Sequence, residues 1–432
     1  MITIRSAATG LLLTALVTAA PGADRLEAQL PSASAAALGL GFNNTASARS
    51  FAAISANPAG LGHPETAGFS LALVPVRAEA GFGPVGLGDL AEWEGQVVPD
   101  AVKGEWLDRA IASGGQLTAG SGAATPLAFT MGPLGVQLSS MAVVNGTLNP
   151  DAVELMLYGN AGRTGEPRDF SLEGSSVDVA ALSTVAVAYG MSVGDGIWVG
   201  ATGKYIVGHG VAVARDGGSA LTSDPLEARV DFPALIPREE GPLFTYGFPY
   251  ENGSGVGLDL GVLIERGDLT LGATVHNLVN TLSWDLESLE YVPGQALVDL
   301  DGGTSDFERR PSDQAPAELI EALDGLKPKP VYSVGAQMRP SSLLMLSADV
   351  RKRASGGLAL GPDFQAGVGA EVTALSFLPV RGHVAVVSGG FRYGVGASLV
   401  LGPLHLSGAV AQEQHDLADR VVGGLTISFG AH

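Results

Sequence analysis

The stretch Val177–Val193, VDVAALSTVAVAYGMSV, decides the fold. Its odd positions read Val177, Val179, Ala181, Ser183, Val185, Val187, Tyr189, Met191 and Val193. Its even positions read Asp178, Ala180, Leu182, Thr184, Ala186, Ala188, Gly190 and Ser192. A period of two is the signature of a strand, here with one greasy face and one small or polar face.

The same alternation recurs along the chain. Val256, Leu258, Leu260, Val262 and Ile264 oppose Gly255, Gly257, Asp259, Gly261, Leu263 and Glu265. Leu269, Leu271, Ala273 and Val275 oppose Thr270, Gly272, Thr274 and His276. Ile197, Val199, Ala201, Tyr205 and Val207 oppose Trp198, Thr202 and Lys204. Phe391, Tyr393, Val395, Leu399 and Leu401 oppose Arg392, Gly394, Gly396 and Ser398. Near the C-terminus, Val421, Leu425, Ile427 and Phe429 oppose Arg420, Thr426 and Ser428.

Two physical models give such strands. In a soluble sandwich the greasy face points inward and the polar face meets water. In a membrane barrel the greasy face meets lipid and the polar face lines the lumen. Strands of about ten residues fit a bilayer when tilted, whereas strands in globular proteins are usually about 5–6 residues long. The polar faces are small and Gly-rich rather than Lys/Glu-rich, and only 16% of the chain is charged, against about 25% in ordinary soluble domains. These features favour an all-β chain, a transmembrane antiparallel β-barrel.

Tight turns occur at Gly132-Pro133, Val193 to Gly196, Arg266 to Asp268, Arg339 to Ser341, Gly402-Pro403 and near Ala374. They define six hairpins, at 124–144, 177–209, 254–276, 330–351, 364–387 and 390–411. A first strand at 67–79 and a last at 420–429 bring the expected number to about 14. Long connections at 145–176, 210–253, 277–329 and 352–363 separate most of the hairpins, and one junction, Ser388 to Gly390, is short. Short periplasmic turns and long external loops are the asymmetry of outer-membrane barrels, and closure leaves no unpaired backbone in hydrocarbon.

Short helices are expected within the external loops. Asn149 is placed as an N-cap with Pro150 at the first helical position and Gly159 at the end. Val102, Trp106 and Ala110 form one stripe, and Leu319, Ile320 and Leu323 another. They read either as caps packing on loops or as an amphipathic gate.

The N-terminus reads as a secretory signal, with Arg5 followed by the apolar run Leu11–Ala20 and a cut near Ala28 or Gln29. The expected organisation is a signal peptide over 1–29, an N-terminal segment over 30–66 and the barrel over 67–432. Past the signal, no run of about 20 apolar residues exists to make a helical span. There are no cysteines, so packing and hydrogen bonding must hold an exported chain. The net charge of −20 argues against nucleic acid as a partner.

Residues 31–62 are rich in Ala, Ser and Gly, with Phe42, Phe51 and Leu61 as anchors, and show no strand pattern. An empty fourteen-strand barrel would leak, and small segments can pack inside such a lumen. Pro58 presets its own φ and biases Asn57 away from helix, while Gly60 permits a sharp turn. By itself Asn-Pro-Ala-Gly is a generic turn. Placed before the first strand of a Gly-rich exported barrel, NPAGL at 57–61 resembles the FadL family of outer-membrane transporters for hydrophobic compounds, and the related PorV-like barrels. The resemblance covers about residues 33–62. It implies that Asn57, Pro58, Ala59 and Gly60 belong to a hatch that plugs a fourteen-strand barrel. No acidic pair precedes the motif, and Phe429 is followed by Gly430, Ala431 and His432, so the terminal aromatic signal is blurred.

No phosphate loop, His-Glu-x-x-His, dinucleotide fingerprint or Gly-x-Ser-x-Gly elbow is present. The chain therefore reads as a non-enzyme without cofactor or metal. Asp178, Lys204, Asp259, Glu265, His276 and Arg392 fall on polar faces and are expected to face the lumen. The expected function is passive uptake of hydrophobic small molecules, fatty-acid-like or hydrocarbon, in the bacterial outer membrane with its lipid around the wall. The alternative is a barrel that binds or anchors an exported partner protein. A transporter should hold an apolar cavity above the hatch; a partner-binding barrel should have a filled lumen.

Overall fold

A computed structural model describes residues 31–238, 251–354, 362–415 and 419–430; the signal-peptide reading of residues 1–29 lies outside them. Fourteen long strands carry the architecture: β1 Phe69–Gly83, β2 Gln116–Met131, β3 Leu134–Leu148, β4 Ser176–Gly194, β5 Ile197–Arg215, β6 Gly253–Arg266 and β7 Leu269–Asn280 in the first half. β8 Val331–Ser341, β9 Leu344–Arg353, β10 Phe364–Val372, β11 Val380–Val387, β12 Gly390–Leu401, β13 Leu404–His415 and β14 Asp419–Gly430 complete it. Each strand pairs antiparallel with its neighbour in sequence. β14 returns to β1, with Leu71 opposite Phe429, and closes the cylinder.

The greasy faces point outward. Val256 is 51% exposed, Phe391 63% and Val421 58%, while Asp259, Thr274, Arg392 and Thr426 on the opposite faces are buried. A sandwich would bury the first set, so the observed exposure excludes it and fits a lipid-facing wall. The hairpin at 364–387 has the expected bounds, while β2 and β3 run longer than the alternation indicates, spanning 116–148 rather than 124–144. β4 and β5 have 19 residues each, more than the roughly 9–11 needed to cross hydrocarbon, and they extend toward the long connections.

Bulges interrupt the alternation. His209 is an extra residue in β5 between the pairs Ala181–Gly210 and Leu182–Gly208. One added residue exchanges the two faces, so Val211 and Val213 turn inward and are buried.

The segment from residue 31 lies inside the cylinder. It forms α1 Ala35–Gly39, α2 Ser50–Ala56 and a 3-10 turn Pro58–Gly62, and it circles the inner wall. Gln137 of β3 donates to the Pro31 carbonyl. Ala35 N donates to Thr426 Oγ1 of β14, and Gln365 of β10 donates to the Gly41 carbonyl. Thr45 N donates to Asp349 of β9, and Phe51 N to Ser70 of β1. Thr202 of β5 donates to the Ile54 carbonyl. These bonds satisfy backbone groups that no helix or ladder pairs. The Ala/Ser/Gly composition permits this contact: a Cβ on Gly396 of β12 would stand 3.0 Å from the Cα of Gly39.

The two ends of connection 281–330 pack into the mouth at the long-loop end. Its Leu282, Trp284 and Leu289, with Leu319 and Leu323 of α6 Ala317–Gly325, pack on Leu182, Ile206, Val211 and Val213 of the wall. Trp284 Nε1 donates to the Leu326 carbonyl at 2.9 Å. Burial of each large apolar side chain contributes about 1.5–3 kcal/mol. Outside the mouth lie α3 Leu87–Glu92, α4 Asp100–Ala112 and α5 Pro150–Tyr158, the last two joined through Leu107, Ala110 and Val153. Asn149 caps α5, its Oδ1 accepting from Ala152 N at 2.7 Å, and Gly159 follows at φ 69°, the left-handed C′ position that favours glycine. A separate sheet of five short strands, made of residues between 170 and 306, stands among the connections.

Candidate functional site

The turn 57–60 sits against the wall near the tight-turn rim. Asn57 has no exposed surface. Its Nδ2 donates to the Thr45 carbonyl at 2.8 Å and to the Val262 carbonyl of β6 at 3.1 Å. Its Oδ1 accepts from Ala59 N at 3.1 Å. One amide thus ties two passes of the inner segment to each other and to the barrel. Pro58 starts the 3-10 turn, where it loses no needed donor, and its peptide lies on Gly200 of β5. Ala59 packs with Trp198 and Leu263. Gly60 lies against the Ala48 carbonyl, where a Cβ would not fit.

The exit from this turn reaches the rim. His63 Nε2 lies 2.9 Å from Glu265 Oε2, and its ring stands 4.4 Å from that of Trp198, tilted by 51°. Glu65 N donates to His63 Nδ1 at 3.1 Å. The Glu65 carboxylate meets Arg339 at 2.7 Å and Arg49 at 3.9 Å. Burial pulls the Arg49 guanidinium down to about 10, against the raising effect of Glu65. Burial, then Arg49, hold the His63 imidazole below its ordinary value of 6.5.

Of the six polar-face residues, three meet. Lys204 Nζ donates to Asp259 Oδ1 and to Asn277 Oδ1, each at 2.5 Å. His276 Nδ1 lies 3.3 Å from Asp259 Oδ2, and Asn277 N donates to Asp259 Oδ1 at 2.7 Å. The β6–β7 register shifts between Leu258 and Leu260, which wraps His276 and Asn277 around Asp259. Asn277 stands at φ 53°, a left-handed conformation that Asn tolerates. Its Nδ2 donates to the Lys329 carbonyl, which joins this knot to connection 281–330.

The other three lie apart. Glu265 is in the rim cluster. Asp178 accepts from Arg215 at 2.7 Å near the long-loop end. Arg392 bonds Glu413 through Nε at 2.9 Å and Gln365 through Nη1 at 3.0 Å.

Arg392 belongs to a buried ladder that the alternation left unassigned. Arg420 lies 3.4 Å from Glu413, Arg77 3.0 Å from Glu79, and the Arg77 guanidinium sits 5.1 Å over the Phe42 ring. Alternation placed Arg420 on a polar face, but nothing in one sequence pairs it with Glu413. Pairing is what makes such buried charges tolerable. Among the described residues, no cluster of three or more His, Asp or Glu could hold a metal ion.

One irregular place in the wall interrupts the ladders on both sides of β1. β1 and β2 pair up to Leu73–Leu127 and resume at Val76–Ala124. Pro75 and Pro126 fall in the interval, each lacking a ladder donor, and Val74 there has φ 48°. The β1–β14 register shifts at the same point. A Cβ on Gly424 of β14 would lie 3.3 Å from the Val76 carbonyl and 3.4 Å from Leu38 of α1, so the inner segment lies close behind. Outside, Val76 borders an apolar trough of about 900 Å³ with Val395, Val410, Val421 and Leu425. A neighbouring trough of about 990 Å³ shares Val395, Val410 and Val421. The expected cavity above the inner segment contrasts with these two, which lie on the outer wall.

Residues 127–285 match the model of a family described as a family of unknown function, DUF5723. No curated protein matches the chain. Among solved structures, a FadL homologue of Pseudomonas aeruginosa is similar at a TM-score of 0.49 and 12% identity, over 95% of this chain and 100% of the other. The toluene transporter TbuX of Ralstonia pickettii is similar at 0.49 and 13%, over 88% of this chain and 94% of its own. The toluene transporter TodX of P. putida is similar at 0.47 and 11%, again over 88% and 94%.

Proposed function

We propose that this protein is a bacterial outer-membrane barrel for passive uptake of hydrophobic small molecules, closed at rest by its N-terminal segment. Residues 57–60 act as the seat of that hatch. The observation that carries the reading is the interrupted β1–β2 ladder at Pro75 and Pro126, with Leu38 close behind Gly424 and Val76 and an apolar trough in front. Hydrocarbon cannot satisfy an unpaired backbone group, but Pro75 and Pro126 carry no N–H to leave unpaired, so the break weakens the β1–β2 seam at a low cost in unsatisfied donors. An apolar molecule captured among the external loops would pass beside the displaced segment and leave sideways into the trough. Burial of apolar area drives each transfer, at about 25 cal/mol per Å². Nucleotide and metal have no part in this scheme.

The test is a staple across the break. Val76 and Ala124 are register partners, and the chain has no cysteines of its own. The double variant Val76→Cys/Ala124→Cys, oxidised, should take up a radiolabelled long-chain hydrocarbon or fatty acid several-fold more slowly than its reduced form. Equal uptake in both forms rejects the sideways route. A second reading, a barrel that anchors an exported protein partner, is favoured by the packing of connection 281–330 into the mouth. Absence of uptake by the unmodified chain in vesicles selects it.

A further inference from the structure

The rim cluster has a chemistry of its own. It rests on the reading of the N-terminal segment as a plug. The segment leaves its last turn through Gly62, which lies against Met191 of β4, and reaches β1 within a few residues. In that interval two side chains tie it to the wall: His63 to Glu265 of β6, and Glu65 to Arg339 of β8. Elsewhere wall side chains bond its backbone, Asn57 bonds the Val262 carbonyl, and Ile54 and Leu61 pack on alanines of the wall.

Both ring nitrogens of His63 are committed. Glu65 N–H donates to Nδ1, so Nδ1 must present a lone pair. The ring proton then sits on Nε2 and is donated to Glu265 Oε2. Only one neutral tautomer satisfies both bonds. We propose that His63 is an acid-sensitive pin: neutral, it holds the plug's exit through the Glu65 N–H as well as the rim through Glu265, and protonation at Nδ1 breaks the bond to the exit while the bond to Glu265 stays. The added N–H would face the Glu65 N–H, donor against donor, and one of them must move. Glu65 is also the partner of Arg339 and Arg49, so its displacement loosens the second tie as well.

The charged groups around the ring act in opposite directions. Glu265 from β6 and Glu65 from the segment favour the imidazolium; Arg49 from the segment, itself near Arg339 of β8, opposes it. Trp198 of β5 covers one side of the ring. Whatever their balance, the bond at Nδ1 is lost once the ring is charged, because a protonated imidazole has no acceptor.

The test uses the full chain in proteoliposomes and reads leak of a small polar solute, which is independent of hydrophobic uptake. The unmodified chain should leak several-fold faster at about pH 5 than at about pH 7. His63→Gln should abolish that difference, and Arg339→Ala should raise leak at neutral pH. Acid should also lower Trp198 emission through the adjacent imidazolium, an effect absent in His63→Gln. Equal leak of the unmodified chain at both pH values, or an acid response that survives in His63→Gln, overturns the pin. Should His63→Gln fail to insert, Glu265→Gln decides: removing the carboxylate must shift the acid midpoint downward, and an unmoved midpoint overturns the proposal. An acid-gated leak without hydrophobic uptake would keep the pin and reject the uptake reading.

Discussion

Gly200 of β5 lies directly on the peptide of Pro58, with no space for a side chain between wall and inner segment. In an isolated strand, replacing Gly by Ala relieves a conformational cost of roughly 0.5–1 kcal/mol. Here the sign should reverse. Gly200→Ala should destabilise the folded barrel, and Gly200→Val should cost about 1–3 kcal/mol, the usual range for overpacking. Thermal unfolding in detergent, followed by the loss of compact electrophoretic mobility, measures both. A stabilised Gly200→Ala would mean that the turn is not seated against β5.

Much of this fold was legible because lipid and lumen impose opposite demands on alternate residues. The pattern from Val177 to Val193 keeps Val187, Tyr189 and Met191 outside and Ala186 and Ala188 inside. Legibility ended where registers shift. The extra His209 in β5 and the wrap of His276 and Asn277 around Asp259 exchange faces without changing composition. The five-strand outer sheet was missed because strands such as Gln295–Val298 are too short to show a period. Asn57 stood out through its neighbour Pro58, yet its partner Val262 is 205 positions away. His63 carried no local signal; only the closed wall brings it to Glu265.

Asn57 uses both ends of its amide, donating to two carbonyls and accepting from Ala59 N. Asn57→Ala should leave those buried groups unpaired and cost about 1–3 kcal/mol. Asn57→Asp should be worse, since a carboxylate oxygen would replace the donor that faces the Thr45 and Val262 carbonyls. Limited proteolysis of the N-terminal segment in the intact barrel should therefore rank the chains: unmodified slowest, Ala intermediate, Asp fastest. Equal rates for Ala and Asp would show that the amide donor does not hold the segment.

Lys204 and Asp259 are both buried, and each is the other's charged partner. Lys204→Met retains most of the stem but strands the carboxylate, for which a loss of about 3–5 kcal/mol is expected. Lys204→Met/Asp259→Asn removes both charges and should recover part of that loss. The melting temperatures of the single and double variants give the coupling directly. A double variant less stable than Lys204→Met would show that His276 and Asn277, rather than Lys204, balance Asp259.

The outer connection 149–175 is organised by Arg168, which bonds Asp151 at 2.8 Å and Glu154 at 2.6 Å. Burial alone would raise both carboxyls, but the Arg168 hydrogen bonds reverse this and hold both below their ordinary values of 3.8 and 4.5. Depressed carboxyls stabilise the folded loop fully above those values and lose the contribution as pH falls through the folded ones. Hydrogen exchange in α5 should therefore be flat from about pH 7 to 5 after correction for intrinsic rates, and protection should fall below about pH 4. Arg168→Met should weaken protection already at neutral pH and flatten the acid limb, because the carboxyls then titrate near their unfolded values. The barrel strands, whose ladders do not depend on Arg168, should keep their protection in the same experiment. If α5 in Arg168→Met shows the unmodified acid profile, the guanidinium is not what orders this loop.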